Sequence, residues 1–111
     1  MQKYDIVQKS TGKILVSNEG LSLLVVLEKA IEDGIDLSGA DLHNLDLRGA
    51  NLRYAKLSGA DLSGADMKNS YLFKADFSFA NLKGADLRGA ENKNQANFSG
   101  AEISTELLNY N

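Results

Sequence analysis

Residues 35–94 divide into twelve consecutive five-residue blocks: IDLSG ADLHN LDLRG ANLRY AKLSG ADLSG ADMKN SYLFK ADFSF ANLKG ADLRG AENKN. Two further blocks, ANFSG and AEIST, follow after a slip of one residue at Gln95. The third position of nearly every block is a large apolar residue, and the first is usually alanine. A five-residue period fits neither the repeat of about 3.6 residues in a helix nor the two-residue repeat of a strand, so the blocks predict a repeat architecture.

Four such blocks close a coil of twenty residues, and stacking the coils lines up similar residues. One outward-facing column consists of serines: Ser38, Ser58, Ser78 and Ser99. Another places an acidic column beside a basic one: Asp46, Asp66 and Asp86 next to Arg48, Lys68 and Arg88. These columns favour the twenty-residue register, because opposite charges offset the repulsion within each column.

The tandem A(D/N)LxG motif over residues 35–105 resembles the pentapeptide-repeat family. That resemblance implies a β solenoid: a right-handed quadrilateral parallel β-helix, here of about 3.5 coils, with the third residue of each block in the axis and the first beside it. The packing argument agrees, because a narrow axis at native density needs a small residue beside each large one.

The chain before the repeat predicts a hairpin and a helix that together cap the solenoid. A hairpin is predicted over Lys3–Ser17 and a helix over Leu21–Asp33, with Ser22 as the N-cap and Gly34 as the left-handed residue that ends it. Residues 1–34 are therefore expected to cover the open end of the repeat at residues 35–105, and residues 106–111 form a C-terminal tail or cap of the same single domain. A separate recognition module at residues 1–34 is the alternative.

One irregularity interrupts the repeat at residues 91–95. Asn92 falls on a third position, which would bury an amide in the axis at a cost of about 1–3 kcal/mol without partners. The chain is therefore expected to bulge outward at Glu91–Gln95 before ANFSG and AEIST rejoin the stack. A hinge that lets the last coil exchange between two chains is the alternative.

Composition limits the classes of function. The chain has no cysteine, so disulfides and thiolate metal sites are excluded, and its net charge is -3. The repeat carries nine acidic and eight basic residues, which is no nucleic-acid footprint. Neither a membrane span nor a signal peptide is recognisable, so a cytoplasmic location is expected.

The abundant aspartates do not predict catalysis. They recur at second positions of the blocks, which the solenoid turns outward, and the filled axis leaves no concave pocket for a small-molecule substrate. His43 is the only histidine and is expected to be an ordinary surface residue. We therefore expect no enzyme activity, no metal site and no cofactor.

Outward-facing aromatic residues are the feature that the repeat does not explain. Tyr54, Tyr71 and Phe73 share one side with basic residues, and Phe79 lies one corner further on. Aromatic and basic residues together are typical of protein interfaces. The candidate interface therefore consists of Arg53, Tyr54, Tyr71, Phe73, Lys74, Phe79 and Lys93. The alternative is a column without a partner, in which the stems of Arg53 and Lys93 cover Phe73.

The pattern favours a non-catalytic protein-interaction module. Its expected partner is a protein, either another copy of the chain or an unidentified one, with dimerisation through the aromatic side or through exchange of the C-terminal coil. A second function is suggested by the family resemblance, since some pentapeptide-repeat proteins imitate duplex DNA, bind type II topoisomerases and confer quinolone resistance. The small number of coils and the balanced repeat charge depart from that pattern.

Overall fold

A computed structural model describes residues 1–104 of the chain. The predicted tail at residues 106–111 therefore lies outside the described residues. Within residues 1–104, no helix has the length and apolar character that crossing a membrane requires.

The N-terminal hairpin extends further than the sequence predicts. Strand β1 spans Gln2–Val7 and strand β2 spans Ile14–Gly20, paired antiparallel with Ile6 opposite Val16. Both of these side chains are buried, so this face of the two-stranded sheet packs on the rest of the molecule. Such packing is required because an isolated two-stranded hairpin is only marginally stable in water.

Helix α1 spans Leu23–Glu32 and is shorter than predicted at both ends. The Ser22 side chain caps it, as predicted, by accepting a hydrogen bond from the Val25 amide at 3.2 Å. Gly34 has a φ of 73°, and the Ile35 amide then donates to the Ala30 carbonyl at 3.0 Å. This arrangement ends the helix and directs the chain into the first coil without a linker.

Parallel bridges between residues twenty apart build the repeat region. They begin with Asp36 opposite Lys56 and Asp41 opposite Asp61 and continue coil by coil up to Glu91. The third-position side chains from Leu37 to Leu87 fill the axis and are almost completely buried. The first-position alanines are equally buried beside them, as the packing argument predicts.

Every side of a coil ends in a residue with positive φ. Glycine occupies most of these corners, but Asn44, Tyr54, Asn69, Lys74 and Phe79 occupy the others, with φ between 55° and 62°. A bulky residue in this region is uncommon because its Cβ crowds the following carbonyl. The non-glycine corners are therefore places where the chain tolerates strain.

The predicted bulge at residues 91–95 is a short 3₁₀ helix over Lys93–Gln95. Asn92 has a φ of 63° and is exposed, so the chain turns a corner two residues early and keeps the amide out of the axis. Pairing then resumes one residue later, with Asn97 opposite Asp76. The last blocks thus rejoin the stack of their own chain, as a simple bulge predicts, and exchange between two chains stays a prediction.

The N-terminal elements satisfy backbone groups at the edge of the first coil. The Asp41 amide donates to the Val7 carbonyl at 2.8 Å, and the Lys9 amide donates to the Gly39 carbonyl at 2.9 Å. On another side, the Glu28 carboxylate of α1 accepts a hydrogen bond from the Asn51 amide at 2.7 Å. These bonds replace those that a preceding coil would make and protect an edge that could otherwise pair with another chain.

Candidate protein interface

The recurring acidic or amide residue at the second position of each block has a structural role. Its side-chain oxygen accepts a hydrogen bond from the backbone amide two residues later, at distances such as 2.9 Å from Asp36 to Ser38 and from Asp61 to Ser63. The same bond recurs in most of the other blocks, from Asn51, Asp76 and Asn97 among others. This local turn gives a structural reason for the recurrence of aspartate and asparagine at the second position.

Acidic and basic columns neutralise each other on the third side of the coils. Arg48 holds Asp46 through two hydrogen bonds of 2.8 Å, and Arg88 holds Asp86 in the same way at 3.0 Å and 2.6 Å. Hydrogen bonds from these guanidinium groups hold the pKa of Asp46 and of Asp86 at about 2. Lys68 lies between the two pairs, 3.6 Å from Asp66. On this side, the acidic side chains are therefore paired with basic side chains of the same column pair.

The fourth side carries a set of ring contacts that continue through successive coils. The Arg53 guanidinium lies 4.3 Å from the centre of the Tyr71 ring. Tyr54 and Phe73 meet edge to face, with ring centres 5.7 Å apart and planes at 87°. The Lys74 ammonium lies 5.7 Å from the centre of the Phe73 ring. We call these five residues the aromatic-basic face.

The pairing within this face differs from the covered column considered above. The Arg53 guanidinium stacks on the Tyr71 ring, and it is the Lys74 ammonium that lies nearest above Phe73 among the cationic groups of this face. Tyr54 remains 60% exposed, whereas Tyr71 and Phe73 are half-buried. The face therefore presents one exposed ring supported by two partly covered rings.

Lys93 does not lie on the aromatic-basic face, which corrects its place in the predicted interface. Its side chain is buried, 7% exposed, and its ammonium lies 3.5 Å from the Leu87 carbonyl oxygen. Burial lowers the pKa of this amine. The reason is the early corner at Asn92, which moves the next residue from an outward position to an inward one.

Phe79 is also separate from the aromatic-basic face. It is 71% exposed and stands in the next corner column, among Gly39, Gly59 and Asn81. The structure therefore brings five of the seven predicted interface residues together and places the other two elsewhere.

A groove adjoins the aromatic-basic face beneath helix α1. Its volume is about 710 Å³, and it is lined by Glu28, Ile31, Glu32, Gly34, Asn51, Arg53, Tyr54 and Lys56. Acidic residues come from the helix, while basic residues come from the coils. Since Arg53 and Tyr54 belong to both features, the groove extends the exposed face toward the cap.

The sequence did not predict one cluster of side chains that could bind a metal ion: Asp41, His43 and Asp61. One oxygen or ring nitrogen from each lies within 4.8 Å of the others. The twenty-residue register, which stacks Asp41 on Asp61 with the only histidine two residues away, was the signal that could have found it. His43 contacts Asp41, and the Lys9 ammonium binds Asp61. The Lys9 ammonium thus neutralises the buried Asp61 carboxylate, as a bound cation would.

The pKa of Asp61 shows which influence dominates at that position. Burial, the largest single influence, would raise the pKa, but hydrogen bonds from Lys9 and Ser63 together outweigh it and hold the pKa at about 2. Asp61 is therefore a charged residue that ties the N-terminal hairpin to the second coil.

Comparison with known proteins agrees with the repeat geometry. The family described as Pentapeptide repeats matches eight copies at residues 33–69 and 50–89, which together span just over half of the chain. None of the curated proteins matches.

Two solved structures that the chain resembles are pentapeptide repeat proteins. One, from Nostoc Pcc 7120, shares 33% identity over 78% of this chain and 80% of that chain, with a TM-score of 0.35. The other, from the thylakoid lumen of Arabidopsis thaliana, shares 26% identity over 78% of this chain and 70% of that chain, with a TM-score of 0.42. With the family match over the repeat, the chain belongs to the pentapeptide repeat family.

Proposed function

We propose that this chain is a non-catalytic protein-binding module and that its aromatic-basic face is the surface that binds. The observation that carries the proposal is the exposed Tyr54 ring, held edge to face by Phe73 next to the stacked Arg53–Tyr71 pair. Tyrosine and arginine are the residue types that dominate binding energy in protein interfaces.

The rigidity of the face supports the proposal. Its side chains stand on a stack whose backbone is hydrogen-bonded from one coil to the next, as at Tyr54, whose amide donates to the Phe73 carbonyl at 2.9 Å. Ring contacts fix the rotamers further, so less entropy is lost on binding. Tyr54 and Lys74 also keep a positive φ where glycine would be unstrained, and such strain is often retained at functional sites.

The charges of the face indicate the chemistry of the partner. Arg53 and Lys74 lie on the face and Lys56 on the adjoining groove, so the partner surface should offer carboxylates around an apolar or aromatic group. Whether that partner is a different protein or another copy stays a prediction, as does the cytoplasmic location. Duplex imitation is less favoured, because Arg48, Lys68 and Arg88 neutralise the acidic column on the third side.

Affinity capture with matched variants tests the proposal. The variant Arg53→Gln with Tyr54→Asn removes a charge and the exposed ring, and asparagine keeps the left-handed backbone at residue 54. The control Lys83→Gln removes one charge from a different side, where Lys83 is exposed and bonded to Glu102.

The proposal expects at least one protein that the wild type and the control both retain and that the double variant loses. A direct titration of that protein should then show a drop in affinity of about tenfold or more. Equal recovery of every protein by the double variant and the control would contradict it.

A further inference from the structure

The groove beneath helix α1 lies along an incomplete edge of the first coil. On the fourth side of the second coil, the Tyr71 and Phe73 carbonyls each accept a hydrogen bond of 2.9 Å from an amide of the coil below. The same block positions in the first coil are Asn51 and Arg53, and both residues line the groove. No residue that the structure describes donates a hydrogen bond to either of their carbonyls. This side of the first coil therefore offers two backbone acceptors that have no donor within residues 1–104.

The missing donors are those of a block that the chain does not form. In the twenty-residue register, residues 30–34 would lie beneath residues 50–54, but they end helix α1 and turn the chain into the first coil instead. The Glu28 carboxylate accepts a hydrogen bond from the Asn51 amide at 2.7 Å and so replaces one acceptor of that block, but it replaces neither donor. An open edge of this kind can bind an extended peptide through its backbone.

The groove has room for such a segment and carries opposite charges. Its volume of about 710 Å³ lies within the range of roughly 300–1,000 Å³ that is typical of binding sites. The Glu28 carboxylate lies at the start of this side of the coil, on Asn51, and Arg53 follows two residues later. Arg53 contacts the Asn51 side chain and the Tyr71 ring, and no carboxylate within residues 1–104 pairs with it. A segment that is basic at its start and acidic at its end would match these charges.

The helix wall of the groove also includes an apolar residue, Ile31. Side chains of an extended segment alternate between opposite sides, so a residue between the basic and the acidic one points the other way. In the place of a block beneath residues 50–54, that middle residue would face inward, toward the helix. An apolar side chain is suited to this position.

We propose that the groove binds an extended segment of the partner protein, which lies parallel to residues 51–54 and takes the place of the missing block. Two amides of the segment donate to the Asn51 and Arg53 carbonyls. Its basic, apolar and acidic residues follow in that order, with the apolar side chain on Ile31 and the acidic one beneath Arg53. The inference rests on the proposed function, because it specifies the kind of partner that binds beside the aromatic-basic face.

An NMR titration of the isotope-labelled full chain with synthetic peptides tests the inference. The probe is the blocked pentapeptide alanine-lysine-leucine-glutamate-glycine, and one control exchanges its lysine and glutamate. The second control is N-methylated at leucine and glycine, whose amides align with the two free carbonyls, so it keeps every side chain and loses both donors.

Two matched variants of the chain locate the binding site. Gly34→Asn places a side chain in the groove, at a residue with a φ of 73° where an added Cβ would meet no atom within 4 Å. Asparagine tolerates this backbone and is accepted at the end of a helix. Gly49→Asn makes the same change at a corner that is equally open, has a φ of 66° and does not line the groove, and it is the control.

The probe should cause saturable shifts at the amides of residues 51–54. Its dissociation constant should rise about tenfold or more with either control peptide and in Gly34→Asn, and stay unchanged in Gly49→Asn. The absence of saturable shifts overturns the inference, as does equal affinity for the N-methylated peptide or undiminished binding in Gly34→Asn. Shifts at residues 51–54 on concentrating the protein without peptide would assign the groove to a second copy and overturn it too.

The two proposals fail in different ways. If the probe does not bind but affinity capture still finds a protein that requires Arg53 and Tyr54, the face binds its partner without the groove, and only this inference is wrong. If capture finds no such protein, the proposed function is wrong, whatever the peptide does.

Discussion

The third and fourth sides of the coils share one interior and differ completely outside. Leu47, on the third side, and Leu52, on the fourth, are equally buried in the axis. Outside, the third side pairs every carboxylate with a guanidinium or ammonium group, while the fourth side carries stacked and exposed rings. The buried residues therefore determine the fold, and the outward-facing residues can vary without affecting it. A binding surface is expected where the outward-facing residues depart from the paired acidic and basic columns.

Shortening one axial leucine on the third side or on the fourth side should destabilise the chain equally, because the two sides bury their leucines in the same axis. Leu47→Ala and Leu52→Ala each remove the same atoms from sites that are 1% and 0% exposed. Each should lower the free energy of unfolding by about 2–5 kcal/mol, through lost burial and a residual cavity. Urea unfolding of both variants measures the difference, and a tolerant response on the fourth side alone would show that its interior is loosely packed.

A single hydroxyl distinguishes the interior of the fourth side. Ser70 takes the place of a first-position alanine, is fully buried, and has no hydrogen-bond partner for its hydroxyl among the described residues. Ser70→Ala should therefore raise the free energy of unfolding by about 1 kcal/mol.

The control for that change is Ser58→Ala. The Ser58 hydroxyl donates to the Ser78 carbonyl at 3.2 Å, so its loss should lower the free energy of unfolding by about 0.5–1.5 kcal/mol. Thermal melting should show a higher melting temperature for Ser70→Ala and a lower one for Ser58→Ala. A loss of stability in Ser70→Ala would reveal a hydrogen-bond partner for the Ser70 hydroxyl.

Acid should weaken the third side and leave the fourth nearly unchanged. Asp46 and Asp86 have a pKa of about 2 in the folded chain against an ordinary value of 3.8. Stability from a carboxylate with a lowered pKa is present above the unfolded value and is lost as the pH falls through the folded one. Asp46 is solvent-exposed and Asp86 is partly exposed, so solvent weakens both pairs and we expect this change in stability to be smaller than those of the leucine and serine variants.

The measurement compares wild type with Asp46→Asn, Asp86→Asn in urea at about pH 6 and about pH 2. The difference in stability between them should shrink in acid, because protonation removes the pairs that the substitutions remove. A matched change at Asn51, which occupies the same block position on the fourth side and does not titrate, should give a difference that stays constant with pH. If the difference in stability between the wild type and the aspartate variant is the same at both pH values, the charged pairs contribute no stability.

The repeat was predictable because size alone selects the axis positions. A large third-position residue beside a first-position alanine faces inward at this width, and the structure buries the third-position side chains and the first-position alanines of residues 37–90. Ser22 and Gly34 were recognisable for a similar reason, since a helix end has few chemical solutions.

Details of the candidate site depend on choices that spacing does not determine. The twenty-residue register stacks Arg53 on Phe73, yet its guanidinium lies over the ring of Tyr71. Lys93 was misplaced because a one-residue insertion can be absorbed at any of several positions, and the chain absorbed it in the 3₁₀ helix that begins at that lysine. The Lys9–Asp61 contact joins residues far apart in sequence that no repeat relates.

The 3₁₀ helix at Lys93–Gln95 has a consequence for how such a chain changes length. Pairing resumes there with a spacing of twenty-one residues, and the next coil still lies flat on the one before. An insertion at this corner therefore needs no compensating deletion later in the chain. Because the entropy of closing a loop grows only slowly with its length, residues 93–95 are a natural place for evolution, or for protein engineering, to add a segment and keep the stack.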